Sequence, residues 1–435
     1  MLDKDRYKDM LNRLFAAQRL GVRFELERVR RALRHLGEPQ ERVGPVILVG
    51  GTNGKGSTAA MIESCLRAEG FRTGLFTSPH LARFTERFLV AGREVEPGRL
   101  LEHHDEIRLS VPEVEALTFF ELATLLAVLC FAEADTEVTV LEVGMGGRLD
   151  ATNAMEPLVS VVTGVALDHQ DMLGHDIESI AREKAGIFRQ GRPAIIGAAG
   201  LSRGRVLLKR SAVSMGACPV VLAGGADELP AVQCRSLTVR GRHQRANACC
   251  AMSALDALSG CGGPRVTDDN RLVGLASLRW PGRLETLEGS PPVLLDAAHN
   301  PQAASALAEA LGARSPRRLG VMVGVSEGKD AAGVLEPVLR LADHAVLTQA
   351  PGPRAMAAEK LAAAVGGNVL KPDCSPIVEP DPHVGLRRLL EKLSSGDCAV
   401  VYGSLFLIGA IRSRLLGEEV DPVPVRDPGP ASSMR

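Results

Sequence analysis

Apolar residues in this chain gather into short runs that glycines and polar turns cut off, and these runs alternate with longer stretches of helical spacing. Residues 46–49, 71–76, 138–143 and 159–163 are mostly apolar or β-branched, the composition of strands buried on both faces. Between them, residues 59–66, 100–109, 122–132 and 177–188 predict helices. Residues 7–36 predict one or two amphipathic helices, with Leu11, Leu14, Leu20, Leu26, Val29 and Leu33 at apolar positions. Their arginines Arg28, Arg30, Arg31 and Arg34 form either a solvated face or a cap over an acidic substrate tail. From 193 to 240 the signal thins to three apolar runs, 194–196, 219–222 and 236–239, read as short strands. An Ala-rich helix follows over 241–258, and Gly, Ser and two prolines mark a linker at 288–292. The pattern then restarts, with strands at 293–295, 319–323, 344–348 and 398–402 and helices at 302–311 and 334–342. Strands alternating with helices in two successive blocks predict the α/β class with two parallel sheets. The expected domains are 1–287 and a smaller 288–417, and the tail 418–435, rich in acids, prolines and serines, is expected to be disordered.

Composition narrows the class. The 435 residues are long enough for two or three cores, and 45% apolar with 24% charged residues is ordinary for a globular protein. A formal net charge of −1 and scarce aromatics (one Trp, two Tyr) give no basis for nucleic-acid binding. Nine cysteines without a C-x-x-C pair suggest buried thiols in a reducing cytoplasm rather than a zinc or redox motif. The charged N-terminus does not read as a signal peptide, and no apolar run is long enough for a membrane span.

The strongest chemistry follows the first strand, in Gly50-Gly51-Thr52-Asn53-Gly54-Lys55-Gly56-Ser57-Thr58. A strand that turns through glycines into a helix aims several N–H groups and the positive end of the helix dipole at one point. Glycine lets the backbone approach an anion closely, and Lys55 adds a mobile charge where outer phosphates would sit. The run departs from the usual G-x-x-x-x-G-K-[ST] string: Val49 stands at its first glycine, and Gly56 separates Lys55 from Ser57.

Other strands deliver polar residues to the same carboxyl edge, where parallel sheets bind ligands. Ser78, in Thr77-Ser78-Pro79-His80, reads as a metal or phosphate ligand or as an ordinary Ser-Pro turn. Glu142 ends an apolar run and precedes a Gly-rich loop. A carboxylate there is costly unless paired or metal-bound, so it reads as a Mg²⁺ ligand or a hydrogen-bonded structural acid. His169 follows the next strand as a ligand or a satisfied core histidine, and Lys184 alone would be a surface lysine.

Assembled, these residues resemble the folylpolyglutamate synthase/dihydrofolate synthase family of the Mur-ligase superfamily. The resemblance runs from about 24 to about 415 and rests on Gly51 to Ser57, Thr77-Ser78-Pro79-His80, Thr118-Phe119-Phe120-Glu121 and Glu142-Val143-Gly144. Further support comes from Gly147-Arg148-Leu149-Asp150-Ala151-Thr152-Asn153, Leu167-Asp168-His169, Arg182-Glu183-Lys184-Ala185-Gly186, and Asp296 with His299-Asn300-Pro301. It implies a P-loop-type Mur-ligase ATPase domain followed by a smaller Rossmann-like α/β domain. It also implies that Thr52, Asn53, Gly54, Lys55, Gly56 and Ser57 hold the phosphates of ATP. Ser78 and Glu142 would bind one Mg²⁺, and Glu142 and His169 a second. Lys184 would be carbamylated, gaining a carboxylate-like oxygen that Mg²⁺ prefers. The catalytic set is then Lys55, Glu142, His169 and Lys184. Asn247, Arg283, Asp296 and His299 would reach adenine, γ-phosphate and ribose, and Thr118, Phe120, Asp150 and Ala151 would line a pterin pocket.

The implied reaction phosphorylates the carboxylate of dihydropteroate or of a folate glutamate tail, and L-glutamate then displaces phosphate to form an amide. The expected partners are small molecules only, without nucleic acid or membrane, and the expected state is a cytoplasmic monomer. Another Mur-type ligase and a nucleotide-switch module are the alternatives; a switch would not need His169 and Lys184 beside the metal. Three stretches depart from the family pattern: a short 197–240 connector, a partial match over 21–28, and Glu327-Gly328-Lys329-Asp330.

Overall fold

The computed structural model describes residues 4–17, 21, 25–366 and 369–421. Helices α1 (Lys4–Ala16) and α2 (Leu26–His35) precede a first lobe. Leu20 and residues 22–24 of the expected N-terminal helical stretch lie outside the described residues. The lobe opens with β1 (Val46–Gly50), α3 (Lys55–Ala68), β2 (Thr73–Phe76), β3 (Phe88–Val90), β4 (Arg93–Glu94) and α4 (Pro97–Ser110). It continues through α5 (Phe119–Glu133), β5 (Val138–Glu142), β6 (Pro157–Val165), α6 (Gln170–Leu173), α7 (Ile177–Ala185) and β7 (Ala194–Gly200). Helix α8 (Ser202–Ser214), β8 (Val220–Leu222), α9 (Ala231–Ser236), α10 (Arg242–Gly260) and α11 (Asp268–Ser277) complete it.

The second lobe runs β9 (Glu285–Leu287), β10 (Val293–Asp296), α12 (Pro301–Arg314), β11 (Leu319–Val323), α13 (Ala331–Leu339) and β12 (His344–Leu347). Then come α14 (Ala358–Ala364), β13 (Ile377–Val378), α15 (Pro382–Leu390), β14 (Cys398–Tyr402) and α16 (Leu405–Leu416).

The first sheet has eight strands in the order β4-β3-β2-β5-β1-β6-β7-β8, and the second has six in the order β13-β12-β11-β14-β10-β9. Both are parallel apart from edge strands: β3 and β4 are antiparallel in the first, as is β9 in the second. Because successive side chains point to opposite faces, Leu48 packs into one apolar cluster with α5 while Ile47 and Val49 pack into another with α3 and α10. Strand β1 lies between β5 and β6, so three strand ends converge where the glycine loop begins.

Several expectations need correction. Helix α3 starts at Lys55 rather than 59, because Gly54 at φ 83° turns the chain directly into the first helical turn. Helix α7 stops at Ala185 instead of 188; Ile187 and Phe188 turn into the core, and Ser160 Oγ donates to Ile187 O (2.7 Å). The run 236–239 is not a strand. Ser236 closes α9, and Leu237 and Val239 fill the core from a loop whose Thr238 Oγ1 donates to Leu278 O (2.7 Å). Helix α8, unforeseen, crosses β6 at Gly204, where a Cβ would meet Val165 Cβ at 2.8 Å.

The expected linker 288–292 is the turn of a hairpin in which β9 pairs with β10, so the second sheet begins at Glu285, ahead of the 287/288 boundary. The start of the tail is also held: Asp421 N–H donates to Ala82 O (3.1 Å), and its carboxylate accepts Phe84 N–H (2.6 Å). Residues 422–435 of the expected disordered tail lie outside the described residues. Among the described residues no helix is long and apolar enough to cross a membrane.

Candidate active site

The glycines of the loop make room for specific neighbours. A Cβ on Gly51 (φ 137°) would lie 1.9 Å from Thr163 Oγ1, and one on Gly54 would lie 2.3 Å from Asn247 Oδ1. At Gly56 a Cβ would press on Trp280 at 3.0 Å and on Glu142 Oε2 at 3.1 Å. The loop is pinned from β6: Thr163 Oγ1 donates to Asn53 O (2.6 Å), and Thr52 N–H donates to Gly164 O (3.0 Å). Thr52, Asn53, Lys55 and Ser57 therefore border a rigid mouth at the N-terminus of α3.

Glu142 ends β5 in register with Val49 of β1, and its Oε2 accepts Ser78 N–H (2.9 Å). Burial pushes its carboxyl pKa up, against the pull of the Lys55 charge and the Ser78 hydrogen bond. Lys184, only 4% exposed, donates from Nζ to Gly51 O (3.0 Å). Burial first and the Lys55 charge second push its pKa down to about 7. His169 precedes α6 in the left-handed region (φ 50°), and desolvation at the cavity lowers its pKa to about 3 against the pull of the Asp168 charge.

The second lobe reaches into the same space. Asp296 ends β10 and accepts the N–H groups of Leu284 and Ala298 (both 2.9 Å), which fixes the turn that carries His299. His299 is lowered to about 4, by burial and then by the Lys329 charge. Asn247, on α10, donates to Gln244 Oε1 (3.0 Å). Thr118 caps α5: its Oγ1 accepts Glu121 N–H (3.3 Å), and its own N–H donates to Glu121 Oε2 (2.7 Å). Phe120 packs against Gly144, where a Cβ would meet the ring at 2.5 Å. The buried Asp150 accepts from Met145 N (2.9 Å) and Thr152 Oγ1 (2.6 Å) beside Ala151. Every site residue expected from the sequence, Arg283 included, lines one cavity of about 680 Å³.

Sequence reasoning missed the contacts that join the lobes. Asp168 accepts from Lys329 Nζ (2.6 Å) and Asn300 Nδ2 (3.2 Å) of the second lobe. Burial alone would raise its pKa, but His169, Lys329 and His299 hold the carboxyl well below the usual range. Asn53 exchanges hydrogen bonds with Asn300 and donates to Gln302 Oε1 (2.7 Å). In the sequence Lys329 stands only as a retained position in a stretch that otherwise departs from the family string, and Asp168 only as part of Leu167-Asp168-His169, without a role.

A phosphate loop, strand-end carboxylates and a second α/β lobe latched over them define an ATP-dependent acid–amino-acid ligase of the Mur type. Two family models match, the Mur ligase middle domain over 49–201 and the Mur ligase glutamate ligase domain over 282–405. The chain belongs to the folylpolyglutamate synthase/dihydrofolate synthase family. It is 38% identical over 334 residues to the dihydrofolate synthase/folylpolyglutamate synthase of Escherichia coli K12, covering 73% of this chain and 75% of that one. It superposes on E. coli FolC in complex with DHPP and ADP with a TM-score of 0.82 at 32% identity, covering 94% of this chain and 98% of the other. The bifunctional enzyme from Yersinia pestis complexed with AMPPNP and Mn ion gives a TM-score of 0.79 at 30% identity, covering 91% and 94%.

Proposed function

We propose that the chain uses ATP to join L-glutamate to dihydropteroate, to the glutamate tail of a reduced folate, or to both, through an acyl phosphate. The observation that carries this is the single cavity shared by the phosphate loop, Glu142 and Lys184 of the first lobe and by Arg283 and His299 of the second. The Thr118-to-Phe120 wall supplies an apolar face for a flat pterin, and the buried Asp150 an acceptor for its ring N–H groups. Lys55 and the loop amides hold the phosphates, and Arg283 offsets charge as the γ-phosphoryl group moves to the substrate carboxylate. Lobe closure through Asp168 and Lys329 keeps water from the acyl phosphate until the glutamate amine attacks.

The donor set fits magnesium. Among the described residues no group of three or more His, Cys, Asp or Glu side chains could cage a metal unaided. Mg²⁺ characteristically takes one or two protein oxygens and completes its shell with phosphate and water. Ser78 and Glu142 would hold one ion and Glu142 and His169 a second, neutralising charge on the outer phosphates. The Lys184 amine, whose pKa burial lowers to about 7, is suited to carbamylation by CO₂, which would give it a carboxylate-like oxygen. The expected state is a monomer, and nine free cysteines suit the cytoplasm.

The test is phosphate release with dihydropteroate and tetrahydrofolate offered separately, each with ATP, Mg²⁺ and labelled glutamate. Release should require both glutamate and a pterin acid, with label entering the product. ATP hydrolysis indifferent to both would sink the reading.

A further inference from the structure

The four arginines of α2 do not share one environment. Arg30, Arg31 and Arg34 are exposed, and the last two pair with Glu113 and Glu27 in solvent. Arg28 turns inward: it is 8% exposed, against a Glu121 that is 3% exposed. Two of its nitrogens donate to one oxygen of that carboxylate, Nε at 3.3 Å and Nη2 at 3.0 Å, while Nη1 reaches the Glu25 carboxylate at 3.1 Å.

The other oxygen of Glu121 is the one that accepts Thr118 N–H (2.7 Å). One carboxylate therefore joins α2 to the head of α5, where Thr118, Phe119 and Phe120 line the cavity. Val29, Ala32 and Leu33 of α2 pack into the same apolar cluster as Phe119, Leu122 and Ala151. Helix α2 also contacts the turn 151–154, which follows Asp150. It thus backs both sides of the expected pterin pocket, although none of its own residues lines the cavity.

Taking an Arg–Glu pair out of water costs about as much as the attraction returns, and apolar side chains of similar volume would fill the space as stably. What the pair adds is direction. A guanidinium fork accepts a carboxylate from few angles, whereas apolar contacts let one helix slide along another.

We propose that Arg28 is a positioning residue for the pterin acid: through Glu121 it sets the depth and angle of the Thr118-to-Phe120 wall. The wall in turn sets where the ring comes to rest, and with it the carboxylate that takes the phosphoryl group. This rests on the ligase reading above.

The experiment follows glutamate-dependent phosphate release by the full chain with ATP, Mg²⁺ and either dihydropteroate or tetrahydrofolate, and extracts kcat and each KM. Arg28→Met should raise the KM of the pterin acid by on the order of tenfold to a hundredfold, with those of ATP and glutamate within about twofold. Arg28→Lys, which keeps the charge without the fork, should fall between that variant and the parent. Because Arg28→Met strands the Glu121 charge in the interior, a double variant adds Glu121→Gln, which removes the charge and can still accept Thr118 N–H. Both changes break one link, so the pterin KM of the double variant should match that of Arg28→Met rather than multiply it. A merely structural role would lower the folded fraction, and so kcat, at an unchanged pterin KM, or would raise all three KM values together; either result overturns the proposal. A pterin KM within about twofold of the parent's in the double variant, or in Arg28→Lys should the double variant not fold, overturns it as well. A parent chain that releases no phosphate with either pterin acid sinks the ligase reading itself, and the proposal with it.

Discussion

At the end of β1 the chain leaves the sheet through glycines at φ 137° and 83° and offers main-chain N–H groups to the cavity. At the end of β10 it leaves through Asp296, whose carboxylate is used up on the N–H of Ala298 in its own turn and that of Leu284 just ahead of β9, so His299 and Asn300 present side chains instead. The first edge is a preformed anion mouth, which any triphosphate would find ready. The second acts at a distance and matters only when it arrives over the first. Two lysines show the same contrast. Lys184 is buried against a carbonyl and driven down to about 7, whereas Lys329 crosses from the other lobe to meet a carboxylate.

The largest effect should come from the first edge. Glu142→Ala should cut glutamate-dependent phosphate release by on the order of 10³-fold, or about 4 kcal/mol of barrier, and flatten its dependence on Mg²⁺ concentration. A smaller loss than that of any second-lobe variant would reverse the contrast.

Next comes Lys184. Its folded pKa lies below the ordinary lysine value of 10.5, so the unfolded chain binds more protons between about 7 and 10.5, and stability rises with pH across that window. The burial penalty is therefore full below pH 7. Lys184→Met should be more stable than the parent by roughly 3–5 kcal/mol at pH 6, a gain that fades by pH 10 in urea titrations. A gain independent of pH would show that packing, not charge, is responsible.

The smallest effect belongs to the latch. Asp168→Asn and Lys329→Met should each lower kcat/KM about tenfold, and the double variant should lose little more, because both remove one pair. Full additivity would mean that the two residues act separately.

The sequence made the glycine loop and the strand-end residues legible because each depends on neighbours within a few positions. Ser78, Glu142 and His169 follow apolar runs, and parallel strands deliver their ends to one edge. What escaped depends on distant partners. Helix α8 is set by Gly204 meeting Val165, and its exposed Val206 and Val213 blur its apolar face. The described part of residues 349–397, where no element was expected, holds short pieces, α14, β13 and α15. Asp168 with Lys329, and Arg28 with Glu121 (3.0 Å), join residues 161 and 93 positions apart, and no local pattern announces either pair.

The return of the chain end to the first lobe limits how the molecule can move. Besides the contacts across the cavity, the lobes are joined where the backbone passes from α11 to β9 and where Asp421 docks on Ala82 and Phe84. A body held at one point can pivot in any direction; held at two, it turns only about the line between them, as a door does on a pair of hinges. While Asp421 stays docked, the chain end holds the second lobe to the segment that carries Ser78, so the two lobes are tied at both ends of the second one.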